Sequence, residues 1–112
     1  MISVESFRKL ALAFPDVTEL AHFEKTSFRI NNKIFSTLDI TNNRAVVKLT
    51  PFDQSIFCEY NKEIIYPVKG TWGKQGWTAI ELKKVKKNIL SDLLNTSYNL
   101  VSIPKSTKQK KQ

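Results

Sequence analysis

All three glycines of this 112-residue chain fall in one seven-residue window, Gly70-Thr71-Trp72-Gly73-Lys74-Gln75-Gly76, and Trp77 follows at once. Both tryptophans of the protein therefore lie here. Glycine concentrates where a backbone needs positive φ or an approach that a Cβ would block. Two indoles beside such a turn add large flat apolar surface, each with an N–H to place. The window reads either as a rigid corner of the fold or as a surface that touches a partner. Everywhere else the chain has to turn without glycine.

A chain of this length forms one domain around one core. The 41% of apolar residues, with seven phenylalanines among them, suffices to fill that core. The single cysteine, Cys58, excludes an internal disulfide and points to a reducing compartment. No stretch approaches the roughly 20 apolar residues of a membrane helix. The amino end, Met-Ile-Ser-Val-Glu-Ser-Phe, has no basic region leading into an apolar run. The expectation is a soluble, cytoplasmic, single-domain protein.

Net charge is uneven along the chain. Residues 1–63 carry eight Lys and Arg against eight Asp and Glu, while residues 64–112 carry ten lysines against Glu81 and Asp92. The whole excess of +8 thus lies in the second half, and none of its cations is arginine. A one-sided positive field favours polyanions. Lysine is a point charge, whereas the planar fork of arginine makes the bidentate contact that reads guanine. The basic half suits phosphate attraction better than sequence reading.

Ser3 can cap a helix whose apolar positions Val4, Phe7, Leu10, Ala11 and Phe14 follow a 3–4 spacing, and Pro15-Asp16 ends it. Val17 to Lys25 has no clear period and reads as a connecting loop. Thr26 to Ile30, the turn Asn31-Asn32 and Lys33 to Ile40 form a hairpin, because asparagine tolerates the left-handed backbone of a tight turn. A turn at Thr41-Asn42-Asn43 leads to a third strand, Arg44 to Leu49. Thr50-Pro51-Phe52-Asp53 opens a second helix by its cap, its proline and its amino-end carboxylate. That helix runs to about Tyr60, with Phe52, Ile56 and Tyr60 at steps of four. Ile64 to Val68 reads as a short strand that Pro67 places at an edge or an end. Trp77 to Leu82 alternates as a further strand. A last helix, about Val85 to Tyr98, buries Ile89, Leu90, Leu93, Leu94 and Tyr98. The resulting order, α-β-β-β-α-β-β-α, is an α+β two-layer sandwich: an antiparallel sheet with helices on one face. Residues 1–103 form the domain, and 104–112 read as a disordered basic tail.

Several of these features together resemble the MmcQ/YjbR family of small bacterial proteins. They are Ala13-Phe14-Pro15-Asp16 closing the first helix, Thr26-Ser27-Phe28-Arg29 followed by Lys33-Ile34-Phe35, and the helix start Thr50-Pro51. Trp72-Gly73-Lys74 leading to Gly76-Trp77, and Ser97-Tyr98 in the final helix, complete the set. The resemblance covers residues 3–103. It implies a compact α+β domain similar to the frataxin-like or secretion-chaperone-like sandwich, and a DNA-binding protein. It supplies no catalytic residues.

The residues themselves offer little catalytic chemistry. His22, the only histidine, has Glu19 and Glu24 near it in sequence, short of the ligand set a metal needs. Cys58 beside Phe57 reads as a small core hydrophobe. There is no nucleophile elbow or P-loop, and Gly70/Gly73/Gly76 has the wrong spacing and the wrong following element for a dinucleotide fingerprint. No enzyme, cofactor or metal is expected. The basic and aromatic residues are the better candidates. Lys69, Trp72 and Lys74 lie in the glycine window, and Lys83, Lys84, Lys86 and Lys87 follow the next strand. Lys105, Lys108, Lys110 and Lys111 belong to the tail. Trp77 is expected in the core, and Trp72 either covers a sheet edge or serves as a stacking platform. Arg29 and Lys48 read as ordinary solvent-facing strand positions unless the open face of the sheet is the binding surface.

The expectation is a non-catalytic DNA-binding protein, a monomer or weak dimer, with little sequence preference. The alternative is a protein-interaction module that docks a partner on its sheet face or edge. A third reading is a pocket between sheet and helices that holds a small anion.

Overall fold

The computed structural model describes residues 2–22 and 25–102, so the tail lysines Lys105, Lys108, Lys110 and Lys111 lie outside the described residues, as do Glu24 and the His22 side chain. Helix α1 (Val4–Leu12) starts where the Ser3 hydroxyl accepts the Ser6 N–H, and it buries Phe7 and Ala11. Asp16, at φ 62°, reverses the chain into strand β1 (Val17–His22). Strands β2 (Lys25–Ile30), β3 (Lys33–Asp39) and β4 (Arg44–Lys48) continue an antiparallel meander. Asn31 and Asn32, at φ 51° and 67°, make the tight turn between β2 and β3, and Asn43, at φ 50°, closes the next.

Helix α2 (Pro51–Cys58) begins on Thr50, whose side chain accepts the Asp53 N–H. Strand β5 (Ile65–Pro67), the short helix α3 (Thr71–Lys74), strand β6 (Trp77–Glu81) and helix α4 (Lys87–Ser102) complete the chain. The six strands form one antiparallel sheet in the order β1-β2-β3-β4-β6-β5. Phe7, Phe28, Phe35, Leu38, Leu49, Ile80, Leu82, Leu90, Leu93 and Leu94 are fully buried between this sheet and the helices.

Four local expectations are corrected. The segment read as a loop after Pro15 is the edge strand β1, paired with β2 from Val17↔Ile30 to His22↔Lys25. Its pairing is made by backbone groups, and Glu19 on it takes Nε and Nη2 of Arg8, each at 2.9 Å, so no apolar alternation is needed to hold it. Within the glycine window Thr71–Lys74 closes a helical turn, so the element order gains a strand and a helix. Helix α2 stops at Cys58, short of Tyr60, and α4 runs from Lys87 to Ser102 because Val85 is a buried plug ahead of it. Phe52, Ile56 and Tyr60, at steps of four along the chain, face outward, at 72%, 55% and 42% exposure. The inward side of α2 carries Gln54 instead, whose Nε2 lies within hydrogen-bond distance of Gly73 O, Trp77 O and Thr78 Oγ1.

Helix α4 spans the sheet from one end to the other. Near its start, the Ile2 N–H donates to Leu82 O just beyond β6. Further along, the Ser97 hydroxyl donates to Phe35 O (2.8 Å) and accepts the Lys48 N–H (3.2 Å) at the far end of β4. Phe14, Phe35 and Tyr98 cluster beside it, with Phe14 and Tyr98 stacked at 4.6 Å and the Tyr98 hydroxyl donating to Pro15 O. The residues that alternate away from the helices, among them Arg44, Val46, Lys48, Trp77 and Glu81, form an open face.

Candidate functional site

The glycine window is a structural corner. Gly70 and Gly76 hold φ of 80° and 110°, where side chains are strained. A Cβ on Gly73 would stand 1.9 Å from Val68 O, and one on Gly76 would stand 1.8 Å from Leu49 O. The strands on either side are thus drawn onto the corner by direct backbone contact, and the Leu49 N–H donates to Gly76 O. Gln54 ties α2 to the same turn.

What this corner presents is Trp72, with 63% of its surface exposed. Its ring meets that of Trp77 edge to face, with centroids 6.2 Å apart and planes at 70°. Trp77 opens β6 as expected but does not enter the helix-covered core. It sits half-buried on the open face, opposite Lys48 in the β4–β6 register. Lys48 Nζ stands 5.4 Å from the centroid of the Trp77 ring and donates to Gln75 O at 3.0 Å. A cation held over an indole beside a second, exposed indole is a platform on which a flat π-system and a phosphate can be received together. Lys48 was visible in the sequence only as a strand lysine; its register opposite Trp77 is what brings it here.

The other candidate lysines divide between two ends of the sheet. Lys69, exposed, precedes the corner and lines a hollow in the open face. Lys74 lies on the same helical turn as Trp72, about 200° around from it, so the two point to different sides. Lys83, Lys84, Lys86 and Lys87 come after the opposite end of β6, five strand residues or about 17 Å from Trp77. There Lys84, Lys86 and Lys87 share a cleft of about 540 Å³ with Lys9 of α1. Trp72 and this lysine group therefore do not share one patch. Helix α4 ends at Ser102, about 7.5 Å along its axis beyond Ser97, on the corner's end of the sheet.

Cys58 and Tyr66 are shifted by their surroundings. Burial pushes the Cys58 thiol up, with Lys62 opposing, and keeps it protonated. Tyr66 is raised first by burial and then by its hydrogen bond to Glu81. Among the described residues no three His, Cys, Asp or Glu side chains gather where they could hold a metal ion. No helix among them is long and apolar enough to cross a membrane.

The family model of YjbR matches residues 12–100. The fold is similar to that in the crystal structure of Deinococcus radiodurans protein DR2400, which has a DUF419 domain. That likeness has a TM-score of 0.82 at 23% identity and covers 98% of this chain and 88% of that one. Among curated proteins no relative matches.

Proposed function

The chain belongs to the YjbR family, and we propose that it is a non-catalytic DNA-binding domain of low affinity and little sequence preference. One observation carries this reading: the corner holds Trp72 63% exposed against Trp77, with Lys48 poised over the second ring. An indole so exposed contributes little to the core and is open to a stacking partner. Each base stacked on an aromatic side chain contributes roughly 1–3 kcal/mol whatever its identity. Lysines in place of arginines hold phosphates without reading base edges. In sequence, Lys105, Lys108, Lys110 and Lys111 come after Ser102, the last residue of α4.

Fluorescence anisotropy of labelled single-stranded and duplex DNA, at about 50 to 200 mM salt, tests the proposal. Affinity should fall steeply with salt, and Trp72→Ala should weaken binding about 5- to 150-fold while leaving the folded protein intact. Unchanged affinity in that variant, or no binding at the low-salt end, would remove the proposal.

A second reading, a protein-interaction module, is favoured by the outward stripe Phe52, Ile56 and Tyr60 on and just past α2 rather than by the sheet face or edge. A helix stripe of this kind can pair with its own copy about a two-fold axis. Concentration-dependent sedimentation that Ile56→Lys abolishes would support it; a single monomeric species at every concentration would dismiss that contact.

A further inference from the structure

The open face of the sheet contains a hollow of about 440 Å³ that the Trp72 platform does not use. This volume falls within the roughly 300–1,000 Å³ range typical of small-ligand sites. Its floor is apolar, made by Val46, Val68 and Ala79, and its rim carries Arg44, Lys25 and Lys69. Arg44 lies directly across the β4–β6 ladder from Glu81, and its Nε donates to Glu81 Oε2 at 2.9 Å. The Tyr66 hydroxyl donates to the same carboxylate oxygen, so Glu81 is engaged by two donors and anchors both side chains.

The Arg44–Glu81 bond is made through Nε, and the Tyr66 hydroxyl also stands within hydrogen-bond reach of the guanidinium, so the remaining N–H groups are those a ligand would meet. Any pair of adjacent guanidinium N–H groups matches a carboxylate or phosphate with two parallel hydrogen bonds. Asp39, the one carboxylate lining the hollow, is held at the turn by the backbone N–H and Nδ2 of Asn42 at 3.2 and 2.9 Å. With Lys25, Arg44 and Lys69 against Asp39 and the Glu81 paired to Arg44, the site is still net positive. A fixed fork, two flanking ammonium groups and an apolar floor are together suited to an anion with a small apolar body.

We propose that this hollow is a binding site for a small organic oxyanion, a carboxylate or a phosphate monoester, with Arg44 as its principal contact. The apolar body of the ligand lies over Val46 and Ala79, and its oxyanion meets the remaining N–H groups of Arg44. Lys25 and Lys69 close on the charge from either side. The site is separate from the Trp72 platform and does not depend on DNA binding.

The test is a titration of the isotope-labelled full chain with benzoate, phenyl phosphate and inorganic phosphate at constant ionic strength, followed through backbone amide shifts. Benzoate, phenyl phosphate or both should produce saturable shifts centred on Thr37, Arg44, Val46, Tyr66 and Ala79, and whichever saturates at lower concentration identifies the preferred head group. Inorganic phosphate, without an apolar body, should bind more weakly. Arg44→Lys keeps the charge but loses the fork, and should weaken binding about tenfold or more. Lys69→Gln, at an exposed position outside the strands, should weaken it less and does not disturb the sheet. Trp72→Ala should leave these shifts unchanged. Shifts that do not saturate, that centre on Lys84 to Lys87, or that persist equally in both the Arg44 and Lys69 variants would overturn the proposal.

Discussion

Gly76 illustrates how a single residue constrains this fold, since it combines a φ of 110° with a backbone contact that leaves no room for a methyl group. Gly73 has the close contact without the positive φ, and Gly70 has a φ of 80° with nothing within 4 Å of its would-be Cβ. The three should therefore differ when each is replaced by alanine. Gly70, at φ 80° and ψ −157°, lies in a region essentially reserved for glycine, so Gly70→Ala should cost about 1–3 kcal/mol from backbone strain alone. Gly73→Ala should cost more, because Val68 O has to move, and Gly76→Ala should cost most, about 3 kcal/mol or beyond. Denaturant midpoints would rank them. Composition had marked these positions, but it could not tell corner from contact surface; the glycines prove structural, while Trp72 stands outside. Asp39 gives a residue-scale prediction in pH. Its hydrogen bond from Asn42, aided by Lys25 and Arg44, holds its carboxyl below the usual range. The associated stability is present above the ordinary carboxylate pKa and is lost as pH falls through the depressed folded value. Asn42→Ala should return the Asp39 pKa toward its ordinary value, as followed by its carboxyl carbon shift.

At the scale of elements, polar side chains decide how helices sit on the sheet. The buried Ser97 hydroxyl joins α4 to both β3 and β4. Ser97→Ala should destabilise the protein by about 1–3 kcal/mol, because it strands the Lys48 N–H and the Phe35 carbonyl; thermal or urea unfolding reads this directly. Gln54 does the equivalent for α2, and it accounts for the outward stripe. A spacing of four in Phe52, Ile56 and Tyr60 correctly signals one helical face, but three acceptors on α3 and β6 turn the Gln54 side inward. Strand β1 was hidden for a related reason. An edge strand is held by its neighbour's backbone, so its side chains need not alternate. The helix starts, by contrast, were legible at Ser3 and Thr50 because a cap is a contact between residues three apart. Ser97 and Tyr98, the pair read as a motif, turn out to pin the fold through Phe35, Lys48, Phe14 and Pro15.

For the whole molecule, the described lysines of the basic second half are divided between two ends that β6 separates. The lysines of residues 83–87 lie by the start of α4 with Lys9, while Trp72, Trp77 and Lys48 lie at the corner. If the DNA-binding proposal is right, the chain shortened to residues 1–103 should bind with a reduced salt dependence. Removing Lys105, Lys108, Lys110 and Lys111 lowers the slope of log K against log salt by up to about 2.8 on single strands and about 3.6 on duplex if all four engage phosphate. Anisotropy titrations of both chains would measure it, and equal slopes would show that these lysines take no part. The α+β class, the turns at Asn31-Asn32 and Asn43, the helix caps and the lopsided charge follow from local chemistry, since each depends on residue type or on neighbours a few positions apart. Only the tertiary structure decided that residues 17–22 pair as an edge strand and that α2 turns its apolar stripe outward. It alone placed Lys48 over Trp77 and Arg44 beside Glu81 and Tyr66. Those arrangements join residues up to 37 positions apart, and strand register, which no local pattern encodes, sets which of them meet.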